Sequence, residues 1–580
     1  MKRKRIFGTL AGLLAATSIS ALAQAASITV NTEADVIDTP ECTLREAIAS
    51  VNQDSVLGGC TTAGTGTIDT VELPAGSYVL SLTGFDDNNG NGDLDVLANL
   101  TLNGAGADTT SISAQGLQDN GEPERVLDIN PLGQILNVTI NGVTVRDGLE
   151  SDDGGGIRIE GNSNNELLTA KLGVFDGTFT LVTLNGVRVV DNESDDDAGG
   201  ILNAFAQVVI DDSEISNNIS NESGGGLESF TDLEVRIGNS VIDGNTAVFG
   251  AGISSESGNL FIDATTISNN SGACVGGGLA IDGRATVTNS TISGNRADGG
   301  VCAFGTVDPV NVGGGVALDT TSSLLIANST ISGNFAPNGG GGIAMALPTP
   351  AAPAPVTAIK LGQLGVEGLH LNNATIAENS TDGVGGGILT LVIQPVGEPP
   401  SMLLTMANSI LANNQAGDSS PDCAAEFFSE GYNLIGDTEG CVGFTATGDQ
   451  TGIDPQLGPL QDNGGPTFTH ALLVGSPAID TANPDGCTDN AGTLLTRDQR
   501  GETRPVNATG LATAICDRGA FEFQLPEPTP TPTPTATPGF LLNGTGCALV
   551  ESAAPNAGPA LLALLAGCSA LAYRRLRRAE

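Results

Sequence analysis

The 580-residue chain has no Trp, three Tyr and two His, and aromatics make up only 3% of it. That scarcity removes the flat ring platforms favoured by sugar-cleaving clefts. Lysine is nearly as rare. Beyond the N-terminal Lys2 and Lys4, only Lys171 and Lys360 remain. Setting aside the eight basic residues of the two ends and Glu580 leaves 14 of the 22 basic and 65 of the 66 acidic residues, a net charge near −51. Such a surface excludes nucleic acid and anionic lipid as partners, and leaves solubility or divalent cations as the use of the charge. His370 and His470 lie far apart, without partners at triad or metal spacing.

What the chain does have is 80 Gly and a returning pattern: Ile-x-x-Asn, a polar stretch, then a glycine run and an aliphatic residue. The asparagines are Asn192, Asn218, Asn245, Asn270, Asn295, Asn334, Asn379 and Asn413. The glycine runs end at Gly200, Gly226, Gly252, Gly278, Gly315, Gly342 and Gly387. Successive intervals between Ile201, Leu227, Ile253 and Leu279 are 26 residues each. A fixed period of this size means a solenoid. Within a period, short alternating apolar stretches are separated by Asn, Ser, Asp and Gly, which signals strands and turns. No repeat holds a helix-length amphipathic run, so leucine-rich and ankyrin-type solenoids do not fit. The expected fold is all-β: a single right-handed parallel β-helix with three short strands per coil. The repeated Asn is expected to form an amide ladder inside one bend, and the glycines to serve another corner. The interval widens to 37 residues between Leu279 and Val316 and to 45 between Ile343 and Ile388. These excesses read as inserted loops, such as 346–355, where solenoids place binding specificity.

The ends differ from the middle. Residues 1–26 combine Lys2, Arg3, Lys4 and Arg5 with an apolar stretch and small residues at Ala23–Ala25, the layout of a secretory signal peptide. Ten cysteines in an exported chain predict disulfides. Spacing pairs Cys42 with Cys60, Cys274 with Cys302, Cys423 with Cys441, and Cys487 with Cys516. Cys547 and Cys568 are left over. Residues 42–52 read as a helix, with a Thr43–Glu46 capping box and Leu44, Ile48 and Val51 on one face. It is expected to close the open N-terminal end of the stack, where unpaired strand edges need cover.

That helix carries Cys-Thr-Leu-Arg-Glu-Ala-Ile, which resembles the Cys-Ser-Leu-Arg-Glu-Ala motif at the start of many exported bacterial β-helix proteins. Gly92-Asp-Leu-Asp-Val96 is similar to the same group, and the Asn-Ser-Thr-Ile-Ser-Gly-Asn repeats resemble those of polymorphic outer membrane proteins. Toward the far end come Gly431-Tyr-Asn-Leu-Ile-Gly, Asp454-Pro-Gln-Leu-Gly-Pro-Leu-Gln-Asp-Asn-Gly-Gly, Gly475-Ser-Pro-Ala-Ile-Asp, Asp498-Gln-Arg-Gly and Cys516-Asp-Arg-Gly-Ala-Phe-Glu. Their order resembles the choice-of-anchor Q domain. The resemblance implies location and architecture, and no catalytic activity. It divides the chain into a signal peptide (1–26), an N-terminal cap (27–60), a β-helix (61–420), a choice-of-anchor Q-like module (421–524), a Pro/Thr linker (525–545) and a C-terminal sorting segment (546–580). In the module, Arg497, Arg500, Arg504 and Arg518 alternate with Asp498, Glu502 and Asp517, and read as paired charges tying loops together, with an anionic-sugar site as the alternative. The tail joins Gly546-Cys547, an apolar run of 17 residues and four arginines. It resembles Gram-negative sorting signals, in which the helix engages the inner membrane before cleavage, here at or near Cys547; a permanent single-span anchor is the alternative. The expected location is the cell surface, outer membrane or medium of a Gram-negative bacterium, reached through the periplasm.

Two kinds of chemistry remain. Asp87-x-Asn89-x-Asn91-Gly92-Asp93-x-Asp95 offers oxygen ligands at alternate positions, as calcium loops do, but Ala98 stands at the twelfth position instead of Glu. Calcium is therefore a candidate ligand and no cofactor is required. Acidic pairs at Asp152–Asp153, Asp195–Asp197 and Asp211–Asp212 are candidates for glycosidase work. The first two sit in polar turns just before glycine runs and read as solvated. The leading expectation is a non-catalytic, monomeric, exported surface protein that contacts cells, matrix or glycans. An extracellular polysaccharide lyase or glycoside hydrolase is the alternative.

Overall fold

The computed structural model describes residues 25–61, 68–121, 123–162, 179–299, 311–319, 321–346, 368–391 and 403–525. These form a parallel β-helix. One coil shows its parts: strands Leu227–Phe230, Glu234–Gly238, Val241–Asp243 and Thr246–Phe249. Each pairs in parallel with its counterparts one coil before and one coil after. Three strands per coil were expected. The fourth lies between the ladder asparagine and the glycine corner, and its counterparts in six coils make a small sheet of their own.

Register explains the period. Ile201, Leu227, Ile253, Leu279, Val316, Ile343, Ile388 and Cys423 stand directly above one another. Ile215, Ile242, Ile267, Ile292, Ile331, Ile376, Leu411 and Ile435 form a second column. Nearly all are fully buried. Because strand side chains alternate faces, one aliphatic residue at a fixed place in each coil is enough to build a continuous core. No large aromatic interior is needed.

The asparagine ladder is present. Nδ2 of Asn192, Asn218, Asn245, Asn270, Asn295, Asn334 and Asn379 each donates to the Oδ1 of the next member at 2.9–3.0 Å. One position needs correction. The last asparagine is Asn414, not Asn413: Asn379 donates to Asn414, while Asn413 is exposed and adopts φ +65°. Two adjacent aliphatics, Ile410 and Leu411, can each start the Ile-x-x-Asn motif, and the buried column through Leu411 resolves the register. Asn414 in turn donates to Asp422 Oδ1 at 2.9 Å, so a carboxylate terminates the ladder. Asn270→Ala would strand the amide of Asn245 and the carbonyl of Ile242, both fully enclosed by the stack. We expect a loss of about 1–3 kcal/mol. An unfolding midpoint equal to that of the parent would contradict it.

The glycine corner is as tightly specified. A Cβ on Gly226 would lie 2.5 Å from the carbonyl oxygen of Gly252, and the same clash recurs at Gly200, Gly252, Gly278, Gly315 and Gly342. Backbone rests on backbone here, so no side chain fits.

Helix Leu44–Asn52 covers the N-terminal end, with the Thr43–Glu46 capping box formed and Leu44, Ile48 and Val51 buried. Arg45 is buried as well. It pairs with Asp35 at 2.8 Å and donates to the carbonyls of Asn91, Gly92 and Asp93. Disulfides join Cys42 to Cys60, Cys423 to Cys441 and Cys487 to Cys516. Cys274 is disulfide-bonded too, and Cys302 lies outside the described residues.

At the other end, the last coil strand is Gln450–Thr451. The following chain does more than close the stack: it runs back along the flank. Gln499 bonds Ser290, Thr291 and Thr330, Asn490 donates to the carbonyl of Ile326, and Arg518 donates to that of Asn433. His470, buried and with its pKa lowered by that burial, joins Ser332 Oγ to the Gly458 carbonyl. The expected pairing holds for two of the module's four arginines; Arg497 and Arg518 donate to main-chain carbonyls instead. Arg500 meets Asp498 at 2.7 Å and Arg504 meets Glu522 at 2.9 Å. The signal segment up to residue 24, the inserted loop from 347 on, and the tail with Cys547 lie outside the described residues. Among the described residues no helix is long and apolar enough to cross a membrane.

Candidate functional site: an acidic face of the solenoid

In the calcium-like loop the asparagines bond within the loop, while Asp93 and Asp95 lie close together. Asn89 is held by Asp95: its Oδ1 accepts from Asp95 N at 3.0 Å and its Nδ2 donates to the Asp95 carbonyl at 2.6 Å. Asn91 donates to Asp86. These amides fix the loop itself. Asp93 and Asp95 turn toward a residue on the next coil, Asp128.

Three short strands place that residue. Leu94–Val96 pairs with Leu127–Ile129, which pairs with Ile157–Glu160, so Asp95, Asp128 and Arg158 occupy one column on successive coils. Their aliphatic neighbours point into the core, and the charged residues therefore point outward. Turns then cover them. Asp95 and Asp128 are each 1% exposed. The carboxylate oxygens of Asp93, Asp95 and Asp128 lie within 4.8 Å of one another. Arg125 stands among them, 3.7 Å from Asp93, 3.6 Å from Asp128, 3.9 Å from Glu124 and 3.0 Å from Glu150. Arg158 binds Asp128 and lies 3.7 Å from Glu160. Asp93 Oδ2 and Asp128 Oδ1 complete no hydrogen bond, nor do the Nε atoms of either arginine.

Five buried carboxyls thus face two guanidiniums. Burial is the main force on Asp93, Asp95, Glu124 and Asp128. It pushes Asp95 up to about 8, with Asp93 adding repulsion, and Asp93 up to about 7, with Asp128 adding to it. Glu124, buried beside Asp93 and Glu150, rises to about 9. A carboxyl whose folded pKa exceeds its unfolded value of about 4 holds its proton better in the fold, so stability is lost as pH rises from there through the folded pKa. In chelator-containing buffer, the unfolding midpoint should therefore fall between about pH 5 and about pH 9. Asp95→Asn, which keeps an oxygen for Asn89 N, should flatten that fall. A slope unchanged by the substitution would show that the cluster is not its source.

The outer face continues acidic along the stack. Glu228 occupies the column of Arg158, two coils further on. It is fully buried. Ser254 stands beside it, yet neither carboxylate oxygen completes a hydrogen bond. Burial, and then Asp197, raise its pKa well above the carboxylate range. Glu256 and Asp282 are paired across neighbouring strands, and Asp319 acts on Asp282 from the coil beyond. At the preceding corner, Asp152, Asp153 and Asp196 come within ligand distance, as do Asp196, Asp197 and Glu222. Asp211 instead accepts from Asn239, as an ordinary turn residue. His370 bonds Thr405, far in sequence from any of these groups.

Arg125, Asp128, Arg158 and Glu228 escaped the sequence reading. One signal was available: Leu-Asp-Val, Leu-Asp-Ile and Ile-Arg-Ile at 94–96, 127–129 and 157–159 each set a charge between two aliphatics. Only their stacking gives this meaning.

No family model matches the chain, and no curated protein matches it. Among solved structures, the A-module of the Azotobacter vinelandii mannuronan C-5 epimerase AlgE6 is 15% identical with a TM-score of 0.34, over 65% of this chain and 91% of that one. Pectate lyase Pel9A is 11% identical with a TM-score of 0.35, over 87% of this chain and 98% of that one. Likenesses this distant say nothing of activity.

Proposed function

We propose that the protein is an exported, surface-displayed β-helix that binds extracellular polymers or neighbouring surfaces through its acidic face, without altering them chemically. The observation that carries this reading is the sealing of the charge cluster. Its most perturbed carboxyls, Asp93, Asp95 and Glu124, are at most 6% exposed, so a polymer chain lying on the face does not reach them. What a partner meets is a one-signed row at coil spacing, including Glu256 and Asp282, both exposed. Rows of like charge at about 4.8 Å suit repetitive partners rather than a single bond to be cleaved. Export and anchoring belong to the same reading: a signal peptide at 1–26, and removal of residues beyond Cys547 by a processing protease. Intact-mass analysis of the native protein should find the arginine-rich tail missing, and a main species that retains it would end the processing proposal.

A second reading is favoured by one residue. Arg158, with a side chain 22% exposed, is the most open cation of the cluster and sits between Asp128 and Glu160. Held protonated by these carboxylates, it would serve a uronate-polymer lyase by neutralising the sugar carboxylate next to the carbon that loses its proton. Incubation with pectate, alginate and neutral glycans separates the two. Retention of polymer without new unsaturated or reducing ends supports binding. Turnover abolished by Arg158→Ala would establish the enzyme instead.

A further inference from the structure

The corner that precedes the glycine runs holds a second group of carboxylates, separate from the arginine-bearing cluster. Asp152 and Asp153 come from one coil, Asp196 and Asp197 from the next, and Glu222 from the third. Two sets of three ligand atoms, each within 4.8 Å, share Asp196. The backbone already holds part of this corner in place. Asp153 accepts from Asp197 N at 3.2 Å, and Asp197 accepts from Ser223 N at 3.0 Å. The bond to Asp153 uses one of its oxygens, and Asp197 is held by both the amide and the hydroxyl of Ser223.

A second observation lies beneath the corner. Glu228 is fully buried, and neither of its carboxylate oxygens completes a hydrogen bond. It packs against the same turn: a Cβ on Gly224, which has φ +63°, would lie 2.6 Å from Glu228 Oε2. The largest charge effect on it comes from Asp197, followed by Glu256 and then Asp153, with only the Ser254 hydroxyl acting the other way. No guanidinium pairs with Asp152, Asp153, Asp196, Asp197, Glu222 or Glu228 through its side chain among the described ion pairs. The nearest contact is Arg125 Nη2, which reaches only the main-chain carbonyl of Asp153. A buried carboxylate without a donor is costly unless something neutralises it.

We propose that this corner binds hard divalent cations, calcium above all, in two adjacent positions bridged by Asp196, with Glu228 on the inner side. All donors are carboxylate oxygens drawn from three coils, and water can fill the remaining positions of a six- to eight-oxygen shell. The cations would cross-link successive turns of the solenoid at the place where like charges otherwise repel. This goes beyond the polymer-binding reading and stands without it.

The test uses the exported protein, stripped with chelator and titrated with CaCl2 alone by calorimetry. Saturable heat is expected, and Asp196→Asn should weaken the apparent Kd at least about tenfold. Glu222→Gln, at an exposed position that leaves the fold intact, should weaken it less but measurably. Thermal midpoints in chelator identify any variant that has failed to fold, in which case Glu222→Gln decides alone. Titrations of Asp196→Asn and Glu222→Gln indistinguishable from the parent would overturn the proposal. So would heat lost only on Asp93→Asn, which would place the ion in the buried cluster, or the absence of any saturable heat.

Discussion

Arg504→Ala should detach the C-terminal module from the flank of the β-helix. Arg504 and Glu522 are both 0% exposed and 2.9 Å apart. The guanidinium also donates to Asn328 on the solenoid and to the carbonyls of Asp517 and Gly519. It therefore ties three segments together. Removing it leaves Glu522 as a buried charge with no cationic partner, which costs about 3–5 kcal/mol. The loss should appear as protease sensitivity and amide exchange over 452–525 while the coils stay protected. Arg504→Met with Glu522→Gln removes both charges at once and should recover a large part of the stability. If the double variant is no better than the single one, the ion pair is not what holds the module.

The second large effect is at the opposite end. Arg45→Ala should fray the N-terminal cap. Its fork spans Asp35 and three consecutive carbonyls of the 91–93 loop. Asp35 keeps the amides of Ser81 and Leu82 as donors, but the carbonyls of Gly92 and Asp93 lose the guanidinium. The cost is again about 3–5 kcal/mol for breaking a buried, hydrogen-bonded ion pair. Because a solenoid's stability is nearly a sum over neighbouring coils, the damage should stay local. Hydrogen exchange should rise in 27–61 and 86–97 and not beyond the coil that starts at Ile201. Arg45→Lys tests the geometry: an ammonium keeps the charge without the planar fork and should rescue only weakly. Full rescue by lysine would mean that charge alone suffices.

Both effects involve residues whose importance was only partly legible in the linear chain. The Thr43–Glu46 capping box and the apolar face of the cap helix follow from neighbours three and four residues apart, so they were readable. That Arg45 reaches across to Gly92 was not, since those residues are separated by a segment whose path depends on the stack. Three disulfides were readable because each joins cysteines close in sequence, at separations of 18, 18 and 29.

The repeat itself was determined by the sequence alone. Each coil meets only its neighbours, so a 26-residue period maps directly onto a ladder of Asn, a column of Ile and a seam of Gly. Where two aliphatics stood side by side, at Ile410 and Leu411, the pattern lost its register, and the stacking of Leu411 on Ile376 made the choice. Tertiary structure alone decided the charge cluster and the course of the last module. Asp95, Asp128 and Arg158 belong to early coils of unequal length, so no constant spacing announces that they coincide. Gln499 bonds Ser290 across 209 residues. Such contacts depend on which flank of the finished solenoid offers free hydroxyls and carbonyls, and that surface exists only once the coils have stacked.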